Sequence, residues 1–375
     1  MSKPLFIGSE IYRHSSYGEW HPLRVPRVST VMDLSRALGW LPADQYVTSP
    51  TAKPAALMSF HTNDYIAALL AAEADQAVSE DVRDRHKLGT PSNPIFPEMY
   101  RRPATSVGAA LLAGELLADG GIVYAPGCGT HHGMPDFANG FCYLNDPVFA
   151  IQSLLRVGCE RVAYVDIDAH HPDGVEYAFE DDHRVLMVSV HEENRWPRTG
   201  ALADVGIGNV WNLPVPRGFN DDEMSLVLNE LILPLLTNFG ADAIVLQCGA
   251  DAVEEDPQSK LSLSNRSHFE VVRSLMGLSE RLLVTGGGGY NPWSVGRLWT
   301  GVWGVLNGHE PPTDLPVDAR PILGNLVWRH QRRFKERPDH WINSLVDERR
   351  GGSIRSEVRQ SVEYLVGRLR AAQHV

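Results

Sequence analysis

Cysteine is scarce in this chain. Cys128, Cys142, Cys159 and Cys248 are the only four in 375 residues, and no two stand as Cys-x-x-Cys. Neither a disulfide framework nor a cysteine-built zinc site is expected, and a reducing, cytoplasmic setting is the simplest one. Positive charge is also in deficit: 34 Lys and Arg face 46 Asp and Glu, a formal net charge of −12. Nucleic-acid scaffolds and binders of anionic membranes present a basic face, so both classes are disfavoured. A cationic substrate such as a lysine side chain or a polyamine stays open, and the overall charge would favour one at low salt. No apolar run reaches the roughly 18 residues of a membrane-spanning helix. The first thirty residues have no apolar signal-peptide core, so no cleaved leader is expected. There is no internal repeat and no low-complexity linker. A Gly-x-Gly-x-x-Gly strand–helix fingerprint and a Gly-Lys-Ser/Thr phosphate loop are both missing.

What remains is an ordinary globular composition, 43% hydrophobic and 21% charged. Short apolar runs at Gly121–Ala125, Arg161–Asp166, Val185–Val190, Ala243–Gln247 and Arg281–Thr285 predict buried strands. Amphipathic stretches at 66–78, 106–117, 148–157, 223–239, 267–278 and 292–306 predict helices. Asn291-Pro292 sets up the start of the last of these. A charged helix is expected over Glu348–Ala372, packed on the outside. Strand–helix alternation predicts an α/β fold, a mostly parallel sheet with helices on both faces. One domain over 1–375 is expected. Thr90–Pro97 and Trp196–Gly208 are too short to be linkers and read as functional loops.

In such a sheet, ligands bind beyond the carboxyl ends of the strands, and the unusual residues fall there. Asp166, Asp168 and His170 alternate at the end of one strand and would share a face if the chain stays extended. Two carboxylates and an imidazole suit a divalent cation, although capping aspartates and a buried histidine would look the same. Ala243–Gln247 leads into Cys248-Gly249-Ala250-Asp251. If the two strands are neighbours, Asp168, His170 and Asp251 give three ligands with a fourth position open, as at a catalytic zinc. His131-His132 sits in a loop with Gly127, Gly129 and Gly133, where both rings can face one pocket. Paired imidazoles beside a metal suit general acid and base, with Asp166 and Asp173 available behind them. A surface histidine pair is the plain alternative. Gly286–Gly289 could bring Tyr290 over the site, its phenol donating to a developing oxyanion.

Taken together, His131-His132, Gly140–Asp146, Asp166–Gly174, Gly249-Ala250-Asp251 and Gly286–Tyr290 resemble the histone deacetylase superfamily, in that family's order, from about residue 20 to 306. The early His21-Pro22-Leu23-Arg24 and Arg27 resemble the bacterial acetoin-utilization-type members most. The resemblance implies an arginase-like α/β domain and zinc-dependent hydrolysis of acetyl-lysine or acetyl-polyamine amides. It implies zinc ligands at Asp168, His170 and Asp251, and catalytic roles for His131, His132, Asp166, Asp173 and Tyr290. Phe141 and Trp196 match the aromatic walls of the acyl tunnel, where phenylalanine is more usual than tryptophan. Gly140 and Gln258 fall beside the substrate, and Arg27 matches an arginine that helps acetate leave. The family also binds potassium: an inner site matches Asp166, Asp168, His170, Ser189 and Val190, and an outer site matches Phe179, Asp182, Val185 and Trp211.

Three departures leave the chemistry in place and the substrate open. Pro172 replaces a glycine before Asp173. The rim loop Leu88–Pro94 has Ser92 and Asn93 where an aspartate commonly grips the peptide backbone. Gln258 stands where relatives carry an apolar residue, or an acidic one when polyamine-selective. An acetylated protein, a peptide or a small acetylated amine all stay possible as partners. Two rivals are weighed. A two-metal ureohydrolase is invited by Asp168-Ala169-His170 but gives the Tyr290 loop no work. A catalytically dead binding protein should have lost one of these residues.

Overall fold

The computed structural model of the chain describes residues 3–328 and 337–372. Eight strands form one sheet: β1 Leu5–Gly8, β2 Tyr46–Thr48, β3 Gly121–Ala125, β4 Val162–Asp166, β5 Val185–Glu192, β6 Val210–Val215, β7 Ala243–Gln247 and β8 Arg281–Thr285. Their order is β2-β1-β3-β8-β7-β4-β5-β6, and every pairing is parallel. Alternate residues of each strand feed two separate cores. Ala163, Val165, Leu282 and Val284 join one, while Val162, Tyr164 and Leu283 join the other. A strand buried on both faces has no polar side to alternate with, which is why these segments read as unbroken apolar runs. The helix Ser356–Ala372 seals one face with Val358, Val362, Leu365 and Leu369. Among the described residues no helix is long and apolar enough to cross a membrane.

Register decides where the site forms. Ala125 pairs with Thr285, Thr285 with Gln247, Gln247 with Asp166, and Asp166 with Ser189. Five neighbouring strands therefore reach the same level across the sheet. The chain also builds β3 on one side of β8-β7 and β4 on the other, with the middle strands filled in later. The loops after β3 and β4 consequently open away from each other, the crevice at which parallel sheets bind ligands.

Three strands, β1, β2 and β6, were not expected from the sequence. Those at Gly121–Ala125, Ala243–Gln247 and Arg281–Thr285 have the expected bounds. The stretch 223–239 is one continuous helical path interrupted by a π-turn at Leu228–Ile232, just before Pro234. A proline has no N–H and its ring crowds the preceding turn, so a local widening there is the expected response. The final helix begins at Ser356, later than the expected Glu348.

Candidate active site

Four loops supply the site. Beyond β4, the chain leaves the sheet through Asp168 and His170. The Asp168 carboxylate is fixed by the backbone, with Gly288 N–H donating at 2.6 Å and His170 N–H at 3.0 Å. Beyond β7, Asp251 accepts from Ala169 N–H at 3.0 Å. His170 Nδ1 lies 2.9 Å from Asp251 Oδ2 and 3.2 Å from Asp168 Oδ1. One ligand atom from each of Asp168, His170 and Asp251 falls within 4.8 Å of the others. The glycines make this approach possible. A Cβ at Gly249 would stand 2.0 Å from Asp168 Oδ2, and one at Gly288 2.0 Å from Asp251 Oδ2.

This cradle demands a positive charge. Burial alone would lower the His170 pKa, yet Asp251 and Asp168 raise it to about 10. Two buried carboxylates and one imidazole nitrogen, held by backbone N–H groups, are a donor set that fits a divalent zinc ion with a position left open.

His131 and His132 lie side by side, ring centroids 4.0 Å apart. Each has its own carboxylate: His131 Nδ1 meets Asp166 Oδ2 at 2.8 Å, and His132 Nδ1 meets Asp173 Oδ1 at 2.6 Å. Asp166 also accepts from the Tyr164 hydroxyl at 2.6 Å, and Asp173 from Asn139 Nδ2 at 3.0 Å. The two rings are driven in opposite directions. Burial would lower both; Asp166 and Asp168 overcome it at His131 and raise that pKa to about 9. At His132 burial wins, helped by the charge of His131, and the pKa falls to about 4. Paired groups pushed apart in this way mark a division of acid and base work.

Tyr290 is 8% exposed and sits where Gly287 and Gly289, both at φ +142°, turn the loop back over the cradle. Its backbone N–H donates to Asp256 Oδ2 at 2.6 Å. Burial, and then the charges of Asp251 and Asp168, push its phenol well above the ordinary value, so it is a hydroxyl donor at neutral pH.

The rest of the pocket divides into two spaces. A small inner chamber of about 40 Å³ is reached by Arg27, Arg102, Tyr12 and Tyr17. Arg27 Nη1 donates to the Gly287 carbonyl at 2.6 Å. The outer mouth is wider, about 490 Å³, and is lined by Phe141, Trp196, Gly140, Gln258, Asn93 and Ser92 with Lys87 and Arg195. Phe141 stacks edge-on to Tyr290 at 5.8 Å, and Trp196 edge-on to His132 at 4.6 Å. Gly140 has no room for a side chain, since a Cβ there would lie 2.3 Å from the Trp196 ring. No Asp or Glu is among the described lining of this mouth. The net negative charge of the chain therefore does not extend to the rim, where both ionic residues are basic. Arg195 is bound to Glu192 at 2.8 and 2.9 Å.

Several residues of the site were passed over in the sequence. Gln247 is a polar end to an apolar strand, and its amide lies 2.7 Å from His131 Nδ1. Asp256 holds Tyr290 and Asn139 holds Asp173. A glutamine inside a buried strand was a signal available to reading. The others are ordinary loop residues with none. Of the inner potassium set, Asp166 and Ser189 are register partners. The outer set does not fit a cation as it stands. The carbonyls of Phe179, Asp182 and Val185 do converge, but on the side-chain amide nitrogen of Asn209, at 2.8, 3.1 and 2.9 Å.

Comparison with known proteins agrees with this geometry. Residues 21–306 match the histone deacetylase domain family. A rice protein named histone deacetylase 3 (Oryza sativa subsp. japonica) is 36% identical over 313 residues, 80% of this chain; the match spans 61% of the rice protein's length. The acetoin utilization protein AcuC of Bacillus subtilis (strain 168) is 32% identical over 332 residues, covering 85% of this chain and 86% of AcuC. Among solved structures, an HDAC homolog complexed with SAHA superposes with a TM-score of 0.92 at 32% identity, over 97% of this chain and 100% of that one. An HDAC homolog from Aquifex aeolicus gives a TM-score of 0.91.

Proposed function

The chain belongs to the histone deacetylase family, and from that premise we propose that it is a zinc-dependent amidohydrolase that removes acetyl groups from N-acetylated amines, acetyl-lysine in proteins or peptides foremost. The observation that carries this reading is the cradle of Asp168, His170 and Asp251 beside two carboxylate-backed histidines and a buried tyrosine hydroxyl. Bound zinc supplies a Lewis acid for the amide carbonyl and makes water easier to deprotonate. The chain's own residues do the rest. Neutral His132 takes the proton of the attacking water and later delivers one to the leaving nitrogen. Asp173 holds its tautomer, since the Nδ1 proton faces that carboxylate and Nε2 is left to work. His131, kept cationic by Asp166, stabilises negative charge as the tetrahedral species forms. The Tyr290 hydroxyl donates to the same oxyanion. Phe141 and Trp196 enclose the methylene chain of the amine, and Arg27 draws acetate into the inner chamber.

Among the described residues no acidic side chain lines the mouth, and Gln258 stands in a lining that includes Lys87, which weighs against a dedicated acetylpolyamine enzyme. Small neutral acetylated amines stay in range. The inner potassium site is proposed at Asp166, Asp168, His170, Ser189 and Val190. The catalytic unit is proposed to run over 1–375, in the cytoplasm, where four buried unpaired thiols stay reduced. The test is acetate release by the zinc-loaded enzyme from acetyl-lysine peptides, acetylated polyamines and short acyl amides. Hydrolysis of the peptides, abolished by chelation and restored by zinc, is expected. A fully loaded enzyme that turns over none of the panel would overturn the proposal.

A further inference from the structure

The outer potassium position of this family is the place where the chain's geometry and the resemblance part company. The carbonyls of Phe179 and Asp182 end the short helix Asp173–Phe179 and its turn, and that of Val185 begins β5. All three point at one atom. Asn209 Nδ2 lies 2.8 Å from Phe179 O, 3.1 Å from Asp182 O and 2.9 Å from Val185 O. These are ordinary N–H···O separations, so nothing else fits between the nitrogen and the three oxygens. The amide is buried, and its Oδ1 has no hydrogen-bond partner among the described residues. A side chain that leaves its own oxygen unsatisfied to put its nitrogen among carbonyls is meeting a demand for positive potential there.

A second, independent feature concerns Trp211, the fourth residue of the outer set. Arg368, on the C-terminal helix, lies with its guanidinium 3.9 Å from the centre of the Trp211 ring. It donates to the carbonyls of Val210 and Gly208, both at 2.8 Å. A fixed cation therefore already serves the backbone carbonyls on either side of Asn209, at Gly208 and Val210.

We infer that Asn209, supported by Arg368, permanently occupies the outer cation position, so that this chain clamps the 179–185 turn to β6 with its own groups and binds no potassium ion there. The clamp matters to the site because the helix it ends begins at Asp173, the partner of His132. The inference concerns a structural position and stands whether or not the substrate is an acetylated amine.

Crystals of the zinc-loaded protein soaked in rubidium or thallium salts test it directly by anomalous scattering. The wild type should show no peak among the carbonyls of Phe179, Asp182 and Val185. A peak there, with Asn209 turned away, would overturn the inference and needs no variant. Asn209→Ala and the double variant Asn209→Ala/Arg368→Gln vacate the cage. At least the double variant should gain the peak, and its Tm should rise in potassium relative to choline by more than the wild type's does. Folded variants with neither the peak nor the potassium-dependent rise would show that the amide replaces no cation, and the inference would fall.

Discussion

The floor of the pocket and its mouth are built on opposite principles. On the floor, three of the acidic side chains are tied to backbone: Asp168 to Gly288 and His170, Asp251 to Ala169, Asp166 to Asp168 N–H at 2.9 Å. These groups hang from the level ends of adjacent buried strands, so their positions are set by sheet register. At the mouth, Lys87 and Trp196 project from loops, and Trp196 is 43% exposed. Charges on the floor act in a low-dielectric setting, where a misplaced group costs several kcal/mol, while those at the mouth act through solvent. The floor therefore fixes the reaction and tolerates little change, whereas the mouth tunes which amines enter and can vary.

Substitutions should expose this difference as a gradient of effect. The largest belongs to the cradle. Asp251→Ala removes one of three ligands and should lose zinc and more than about 10³-fold in kcat, since the Lewis acid contributes several kcal/mol. The circular dichroism spectrum should be unchanged, because Asp251 follows β7 and adds nothing to the sheet. Zinc content at the wild-type level would show that the ligand set is wrongly drawn. Next comes Tyr290→Phe, which deletes one oxyanion donor and should cost on the order of 10²–10³ in kcat with zinc retained. A rise in KM at constant kcat would make Tyr290 a binding residue instead.

The histidine pair predicts a pH window. His132 is neutral above its pKa of about 4, and His131 is protonated below its pKa of about 9. The active state needs both conditions, so kcat/KM should fall roughly tenfold per pH unit beyond either limit. A cation held by Asp168 offsets part of the negative charge that raises His131, which moves the basic limb below 9. Asp166→Asn withdraws more of that charge and should move the limb lower still. A basic limb that stays fixed in this variant belongs to some other group.

The same division explains what could be read in the sequence. The floor was legible because its elements carry strong signals: unbroken apolar strands ending in Asp166 and Gln247, a run of four glycines, adjacent histidines. The pairing of β4 with β7, which brings Asp251 to His170, needed the folded chain, and so did the way the chain bends after Asp166 instead of staying extended through His170. The strands β1 and β2 escaped notice because four and three residues are too few for a period to register. In β6, Pro214 lies near the end of a strand that pairs only with β5, an edge position where a proline costs no central ladder bond. Residues that act by holding others, such as Asp256 and Asn209, are ordinary loop polars until the fold shows which backbone groups face them. The basic character of the mouth could not be read from the whole-chain balance, since net charge says nothing about where individual charges lie.

The smallest effects should come from the mouth, and they discriminate best between reading sequence and admitting shape. The loop around Ser92 and Asn93 carries no aspartate to grip a peptide backbone, and Asn93 is already used: its Oδ1 accepts from Phe141 N–H at 3.1 Å and its Nδ2 donates to the Ala138 carbonyl at 3.0 Å. With no specific grip, residues flanking the acetyl-lysine meet mainly the Lys87 charge, which solvent screens to less than about 1 kcal/mol. Acetyl-lysine peptides of varied flanking sequence should then differ in kcat/KM by less than about tenfold, with acidic flanks ahead of basic ones and the difference shrinking as salt is raised. Lys87→Glu should reverse the order without altering kcat for an uncharged N-alkylacetamide, because it leaves every floor group in place. A peptide series spanning more than about 10²-fold, roughly 2.7 kcal/mol at 1.36 per tenfold, or an order indifferent to Lys87→Glu, would mean that some fixed contact at the mouth reads the substrate after all. The mouth would then resemble the floor in rigidity.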